Sequence, residues 1–185
     1  INSGTAIGIR GFLQKPVKSD KLISALNTVI HEDKQAEDYQ QELLQYFIKA
    51  FQSNLAEMVG LQSEASVAPN TGMKFICHGL AIIIGITGTR QGRMILDLSS
   101  SVAAAVCEKI LEVPNASEED ILNSIAEFAN IIAGHSVSEV NNIFKGTEFE
   151  LRITPPSVFI GKSLVIINPK MASSTVEAQT EIGQL

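Results

Sequence analysis

One stretch of this sequence leaves little freedom about what it folds into. From Ser117 to about Asn142 apolar residues recur at helical spacing, and Ile121, Ile125, Phe128, Ala129 and Ile132 gather on one side of the resulting helix. Ser117, followed three residues later by Asp120, has the form of a capping box that opens such a helix. A helix this one-sided must bury its stripe against other elements, so a layered core has to form around it. On a wheel turning about 100° per residue, Asn123, Asn130 and Gly134 all fall within about 60° of Glu127. Asp120 and Ser138 border the same line. The helix therefore carries a narrow polar ridge opposite its core stripe, with a carboxylate and an amide one turn apart at Glu127 and Asn130.

Gly134 is the odd member of the ridge. A glycine inside a helix costs about 1 kcal/mol relative to alanine, and on a polar face it adds nothing to the core. Either a partner comes close to the backbone there, or the gap admits a neighbouring loop of the same chain; the sequence leaves both open. A Glu and an Asn on a helix face are, by geometry alone, ordinary solvated residues.

Around this helix the pattern predicts a mixed architecture. Ser19 is a good N-cap for a helix whose stripe is Leu22, Ile23, Leu26, Val29 and Ile30, and the short run Gly11–Gln14 before it reads as a strand. A lone strand, turn and helix cannot bury their own apolar face, so residues 1–31 read as the end of a larger domain. The polar segment His31–Gln35 is a linker or a solvated helical turn. A helix resumes by Tyr39 and runs to about Met58, and Ala65–Gly72 reads as a loop. Strands follow over Met73–Thr87 and Arg93–Leu98, joined by a hairpin turn at Gly88–Gly92. Ser99–Ser101 caps a helix through Val102, Val106 and Ile110. Further strands are expected over Glu148–Ile153, Leu164–Ile167 and Thr175–Thr180, with a free sheet edge at the last of them. This order reads as α+β with a mostly antiparallel sheet and two long helices, and its helix-then-strands pattern occurs twice, as an internal pseudo-twofold repeat would.

Composition removes several functional classes. The 185 residues carry a formal net charge of −6, no Trp and 5% aromatics, which disfavours nucleic-acid binding by charge or by stacking. Two cysteines, Cys77 and Cys107, form no CxxC pair, and Ile1–Arg10 has no basic segment leading into a long apolar run, so a reduced cytoplasmic setting is the expectation. Cys77 and His78 are adjacent on a strand, point to opposite faces and cannot make a dyad. The histidines His31, His78 and His135 are scattered, so no metal site is expected. Gly161-Lys162-Ser163 has the end of a phosphate-binding loop, but Pro156 stands where that loop needs glycine and no helix follows.

The segment Ser124–His135, with Glu127, Asn130 and Gly134 in place, resembles the Glu-x-x-Asn dephosphorylation helix of the CheX/CheC/FliY family. The run Ile153–Lys162 resembles the segment after the next strand in CheX, and Gly92–Leu98 resembles its first half. The likeness spans roughly residues 39–185 and keeps the element order. Two departures stand out. Asn123 occupies a position where the family often has Asp or Ser, and Phe51 stands three residues before Asn54, so the first helix lacks the second Glu-x-x-Asn of CheC-type members. One site per chain is the CheX pattern. Gly11–Pro16 and the helix after it resemble the end of a response-regulator receiver, whose Lys-Pro would be Lys15-Pro16.

The resemblance implies three segments: residues 1–31 as a receiver remnant, 32–38 as a linker, and 39–185 as a CheX-like domain lacking its final strand. It implies a phosphatase that hydrolyses the phospho-aspartate of a CheY-like receiver, in trans or fused. Asn130 would orient the attacking water, Glu127 would pair with the receiver's lysine, and Asn123 and Gly134 would belong to the docking surface. The receiver would supply Mg²⁺, with no cofactor held by this chain, and the family pattern implies a homodimer. The alternative is a non-catalytic module of the flagellar-switch type that binds a receiver or self-associates.

Overall fold

The run Gly79–Gly88 is the most apolar in the chain and becomes the central strand. The computed structural model describes residues 17–68, 74–167 and 173–185, with backbone alone for 29–42. In chain order the elements are α1 (Ser19–Asn54), a π-helical turn (Leu55–Val59), β1 (Glu64–Ala68), β2 (Lys74–Ile76), β3 (Gly79–Gly88), β4 (Gly92–Ser99), α2 (Ser100–Leu111) and α3 (Glu118–Ile143). They continue with β5 (Leu151–Ile153), β6 (Ser157–Ile160), β7 (Val165–Ile167), β8 (Thr175–Thr180) and β9 (Gly183–Gln184). All strand pairs are antiparallel, and the class is α+β as the pattern predicts.

The chain divides into two units, residues 1–43 and 44–185. In the first, Val17, Leu22, Ile23 and Leu26 are exposed apolar residues on or just before a helical backbone. Residues 32–38 have helical backbone within α1. The strand and Lys15-Pro16 read in residues 11–16 lie outside the described residues.

In the second unit β3 pairs with β4 along its length and with β5 and β6 on its other edge. Its inward residues Leu80, Ile82 and Ile84 are fully or almost fully buried, as are Leu96 and Leu98 of β4. Against that face pack Val102, Ala103 and Val106 of α2 and Ile125, Phe128, Ala129, Ile132 and Ala133 of α3. Fully burying a side chain of the Ile or Phe class contributes about 1.5–3 kcal/mol, so α3 alone supplies a large share of the cohesion. From α1, Phe51 meets Phe128 with ring centroids 6.5 Å apart. The caps predicted at Ser99 and Ser117 form, whereas Ser19, predicted as an N-cap, is already the first residue of α1. Ser99 accepts the Val102 amide at 3.3 Å, and Ser117 and Asp120 make a reciprocal capping box.

Several expectations change. Glu64–Ala68, read as part of a loop, is a strand, because all five residues pair with β8. Its composition carries no alternating apolar signal; only the distant partner stabilises it. The strand expected over Glu148–Ile153 begins at Leu151; just ahead of it the Glu150 amide donates to Thr89 Oγ1 at 2.9 Å, a side-chain partner in place of a ladder bond. Ser157–Ile160 is an additional strand on β3. The last residues are themselves a strand: Gly183–Gln184 pairs with β8, and Leu185 exchanges two backbone hydrogen bonds with Ala178. Thr175–Thr180 therefore lies between β1 and β9 and is not the free edge the sequence pointed to. Among the described residues, β6 pairs on one side alone.

The hairpin between β3 and β4 depends on Gly88, whose φ is +110° and whose added Cβ would stand 2.2 Å from the Glu150 carbonyl oxygen. Gly88→Ala is expected to lower stability by about 2 kcal/mol or more, from backbone strain and the clash together. Urea unfolding of the two chains side by side checks this.

Candidate functional site

The apolar stripe of α3 fixes how the helix is rotated. With Ile125, Phe128, Ala129, Ile132 and Ala133 buried, the opposite side must face out. Asn123 and Glu127 are exposed there, and Asn130 and Gly134 are half-buried. The amide Nδ2 of Asn130 stands 3.4 Å from Oε2 of Glu127, a long hydrogen bond across one helical turn. That contact turns the amide so that its carbonyl oxygen points away from the carboxylate, free to accept a hydrogen bond from water. Among the described residues no cation pairs with Glu127. Its charge stands available at the surface.

The ends of the ridge have structural work. Asp120, at the first end, is committed to the cap: its Oδ2 accepts from the Ser117 amide at 3.3 Å and its own amide donates to Ser117 Oγ at 3.1 Å. At the other end Asn141 donates to the Leu151 carbonyl at 2.9 Å and accepts from the Leu151 amide at 2.8 Å, which ties β5 alongside the helix. No sequence pattern points to this Asn141 clamp. Between these ends the ridge carries the Glu127 carboxylate and the amides of Asn123 and Asn130, with exposed His135 and Ser138 beside them. Among the described residues no three His, Cys, Asp or Glu side chains come together in a way that suits a metal. A single carboxylate is a poor donor set for Mg²⁺, which favours several oxygens, so this ridge does not fit a resident ion.

Gly134 is now better defined. A Cβ built there would meet Ile153 Cδ1 at 3.9 Å, an ordinary contact, and nothing nearer. No loop among the described residues needs the gap. The sequence reading also passed over Ile131, which falls about 40° from Glu127 on the wheel and is only partly buried. The core stripe read from the sequence leaves Ile131 unassigned, although its wheel position alone sets it beside Glu127.

The rival sites dissolve. His78 turns its ring Nδ1 to Asp97 Oδ2, and its backbone amide donates to both Asp97 oxygens at 3.1 and 3.2 Å. Cys77 is 1% exposed, and burial pushes its thiol pKa up, with the neighbouring Asp97 adding to the effect, so it stays a protonated, packed thiol. Asn54, in the position that would hold a second Glu-x-x-Asn, is 3% exposed and spends its amide on the Ala50 carbonyl at 2.7 Å. Gly161–Ser163 is a turn leading into β7, not a phosphate loop before a helix.

The ridge lies inside a segment with known relatives. The family model for the chemotaxis phosphatase CheX matches residues 80–178. The chain belongs to the CheX family. It is thereby in the phosphatase, hydrolase class. The CheY-P phosphatase CheX of Thermotoga maritima is 28% identical over 114 residues, covering 60% of this chain and 71% of that protein. Solved structures share the CheC-like fold. Chemotaxis protein CheX from Desulfovibrio desulfuricans superposes with a TM-score of 0.66 at 20% identity, covering 77% of this chain and 94% of its own. A CheC-like superfamily protein from Shewanella gives 0.60 at 16% identity, with 77% and 92% covered. A chain of the CheX-CheY-BeF3-Mg²⁺ complex from Borrelia burgdorferi gives 0.58 at 22% identity, with 76% and 91% covered. No helix among the described residues is long and apolar enough to cross a membrane.

If Gly134 has no internal reason to lack a side chain, filling it should help the isolated chain. Gly134→Ala is expected to raise stability by about 0.5–1 kcal/mol, through helix propensity and a less flexible unfolded state. Thermal unfolding measures it, and a loss of stability would mean that the Ile153 contact is tighter than 3.9 Å allows.

Proposed function

We propose that this chain hydrolyses the phospho-aspartate of a CheY-like receiver, with the α3 ridge docking over the receiver's phosphoryl group. The observation that carries the reading is the pairing of Glu127 with Asn130 on an outward face that the core stripe holds in place. Membership of the CheX family supports it, as does the complex of a similar Borrelia burgdorferi protein with CheY, BeF3 and Mg²⁺.

The chemistry asks little of this chain beyond position. Water attacks phosphorus in line, its oxygen forms the new P–O bond, and the bond to the aspartyl oxygen breaks, leaving free aspartate and phosphate. Mg²⁺, carried by the receiver, would neutralise charge on the phosphoryl oxygens. Asn130 presents an oriented carbonyl to the water's hydrogen and lowers the entropic cost of the in-line geometry. Glu127 meets the receiver's lysine ammonium in a charge-assisted pair, which sets the helix in register over the phosphoryl site. Its Asn130 contact is long enough, at 3.4 Å, to give way to that stronger partner. Asn123 extends the docking surface one turn back, and the bare backbone at Gly134 lets the partner come close one turn on. In this reading the exposed apolar residues Leu22, Ile23 and Leu26 belong to the last helix of a receiver, whose substrate role would be in cis or in trans, in the cytoplasm. A homodimer is the further expectation. The free side of β6, with Val158, Phe159 and Ile160 all exposed, is the edge that suits pairing with a second copy. A self-associating module without turnover would use that same edge and leave Asn130 idle.

The test is the decay of a phosphorylated CheY-like receiver with this chain present. Asn130→Ala is expected to cut the acceleration about 100-fold or more, and Glu127→Ala to raise KM with a smaller effect on kcat. Decay that is equally fast with both variants would show that the ridge is not the site.

A further inference from the structure

The ridge of α3 is not wholly polar. Ile131 follows Asn130 directly and stands one turn beyond Glu127. The next two residues, Ile132 and Ala133, belong to the buried cluster at 2% and 0% exposure, whereas Ile131 keeps part of its side chain in solvent. Asn123, Asn130 and Gly134 lie to one side of Glu127 on the wheel, and Ile131 lies to the other beside Ser124 and Ser138, so Ile131 is the apolar group set into an otherwise polar strip. Helix formation does not call for this residue, since a β-branched side chain is a poorer helix former than Leu, Lys or Glu. The buried cluster does not include it either.

We infer that Ile131 is the apolar anchor of the receiver-docking surface and a positioning residue for Glu127. The inference rests on the function proposed above and names its occupant: the CheY-like receiver itself, whose surface beside the lysine would cover Ile131 by continuity with the Glu127 contact. A carboxylate–ammonium pair in open water attracts weakly, and the same pair beside a low-dielectric surface attracts several-fold more strongly. Ile131, seated on the partner, keeps water from that flank of the pair. It touches neither the water nor the phosphorus. Its contribution is therefore to docking and not to the chemical step.

Steady-state kinetics of the full chain on a phosphorylated CheY-like receiver tests this with Ile131→Asn, Ile131→Ala and Ile131→Val, beside Asn130→Ala. The expected result is a KM raised about tenfold by Ile131→Asn and Ile131→Ala, with kcat within about twofold, and a KM within about threefold of the parent for Ile131→Val. Two variants are used so that loss of folding in one leaves the other to decide. An unchanged KM in both, with Asn130→Ala still abolishing turnover, overturns the role of Ile131 and leaves the proposed function standing. A lowered melting temperature with kcat and KM impaired together assigns Ile131 to the fold and overturns it as well. So does a change in self-association with normal KM, which would place the residue in contact with a second copy. Decay unaffected by Asn130→Ala removes the proposed function, and this inference with it.

Discussion

The seating of α3 on the β3–β4 sheet is the interaction on which everything else in the second unit depends. Ile125, Phe128, Ala129, Ile132 and Ala133 meet Leu80, Ile82 and Ile84 from β3, Leu96 and Leu98 from β4, and the small face of α2. A helix has only one rotation about its axis that buries such a stripe. That rotation points Glu127 and Asn130 outward and holds them there without any contact of their own to the core. The helix is closed at its start by a capping box and tied at its other end by Asn141, so the site stands on a rigid element and not on a loop. Precision of this kind suits a reaction whose catalysis is largely orientation.

Much of this was legible in the sequence because it is local. The α3 stripe, both serine caps, the hairpin at Gly88–Gly92 and the burial of Gly79–Ile86 all follow from periodicity and turn chemistry within a few residues. What escaped depends on distant partners. Glu64–Ala68 has no strand signature of its own and exists because β8 lies beside it more than a hundred residues later. The same holds for β6 against β3 and for the last residues against β8. The site was half legible: helical geometry found the ridge, but only a family resemblance gave its groups roles. Ile131 was within reach of the same helical geometry, which sets it about 40° from Glu127, but the reading of the ridge took in its polar members alone.

The ridge is economical for physical reasons. Glu127 is exposed, so its charge costs nothing in desolvation while the chain is alone, and it becomes a strong contact only when a cation and a dry surface arrive together. Asn130 is uncharged and keeps its amide oriented by the same carboxylate. No metal-ligand cluster accompanies them among the described residues. In the function proposed above, such a surface would wait for a partner that brings the electrophile and its own charge stabilisation. Specificity would then lie in docking, with close approach at Gly134 and dry contact at Ile131.

The central claim is that the chain is a catalyst completed by its phosphorylated partner, and turnover number measures that most directly. Phosphate release should be followed from a CheY-like receiver kept phosphorylated by a small-molecule phosphodonor, with this chain added at a small fraction of the receiver concentration. The account predicts phosphate in large excess over the chain added, at a rate proportional to it. Release no faster than the receiver achieves alone, although the chain binds it, would contradict the account and leave a docking module in its place.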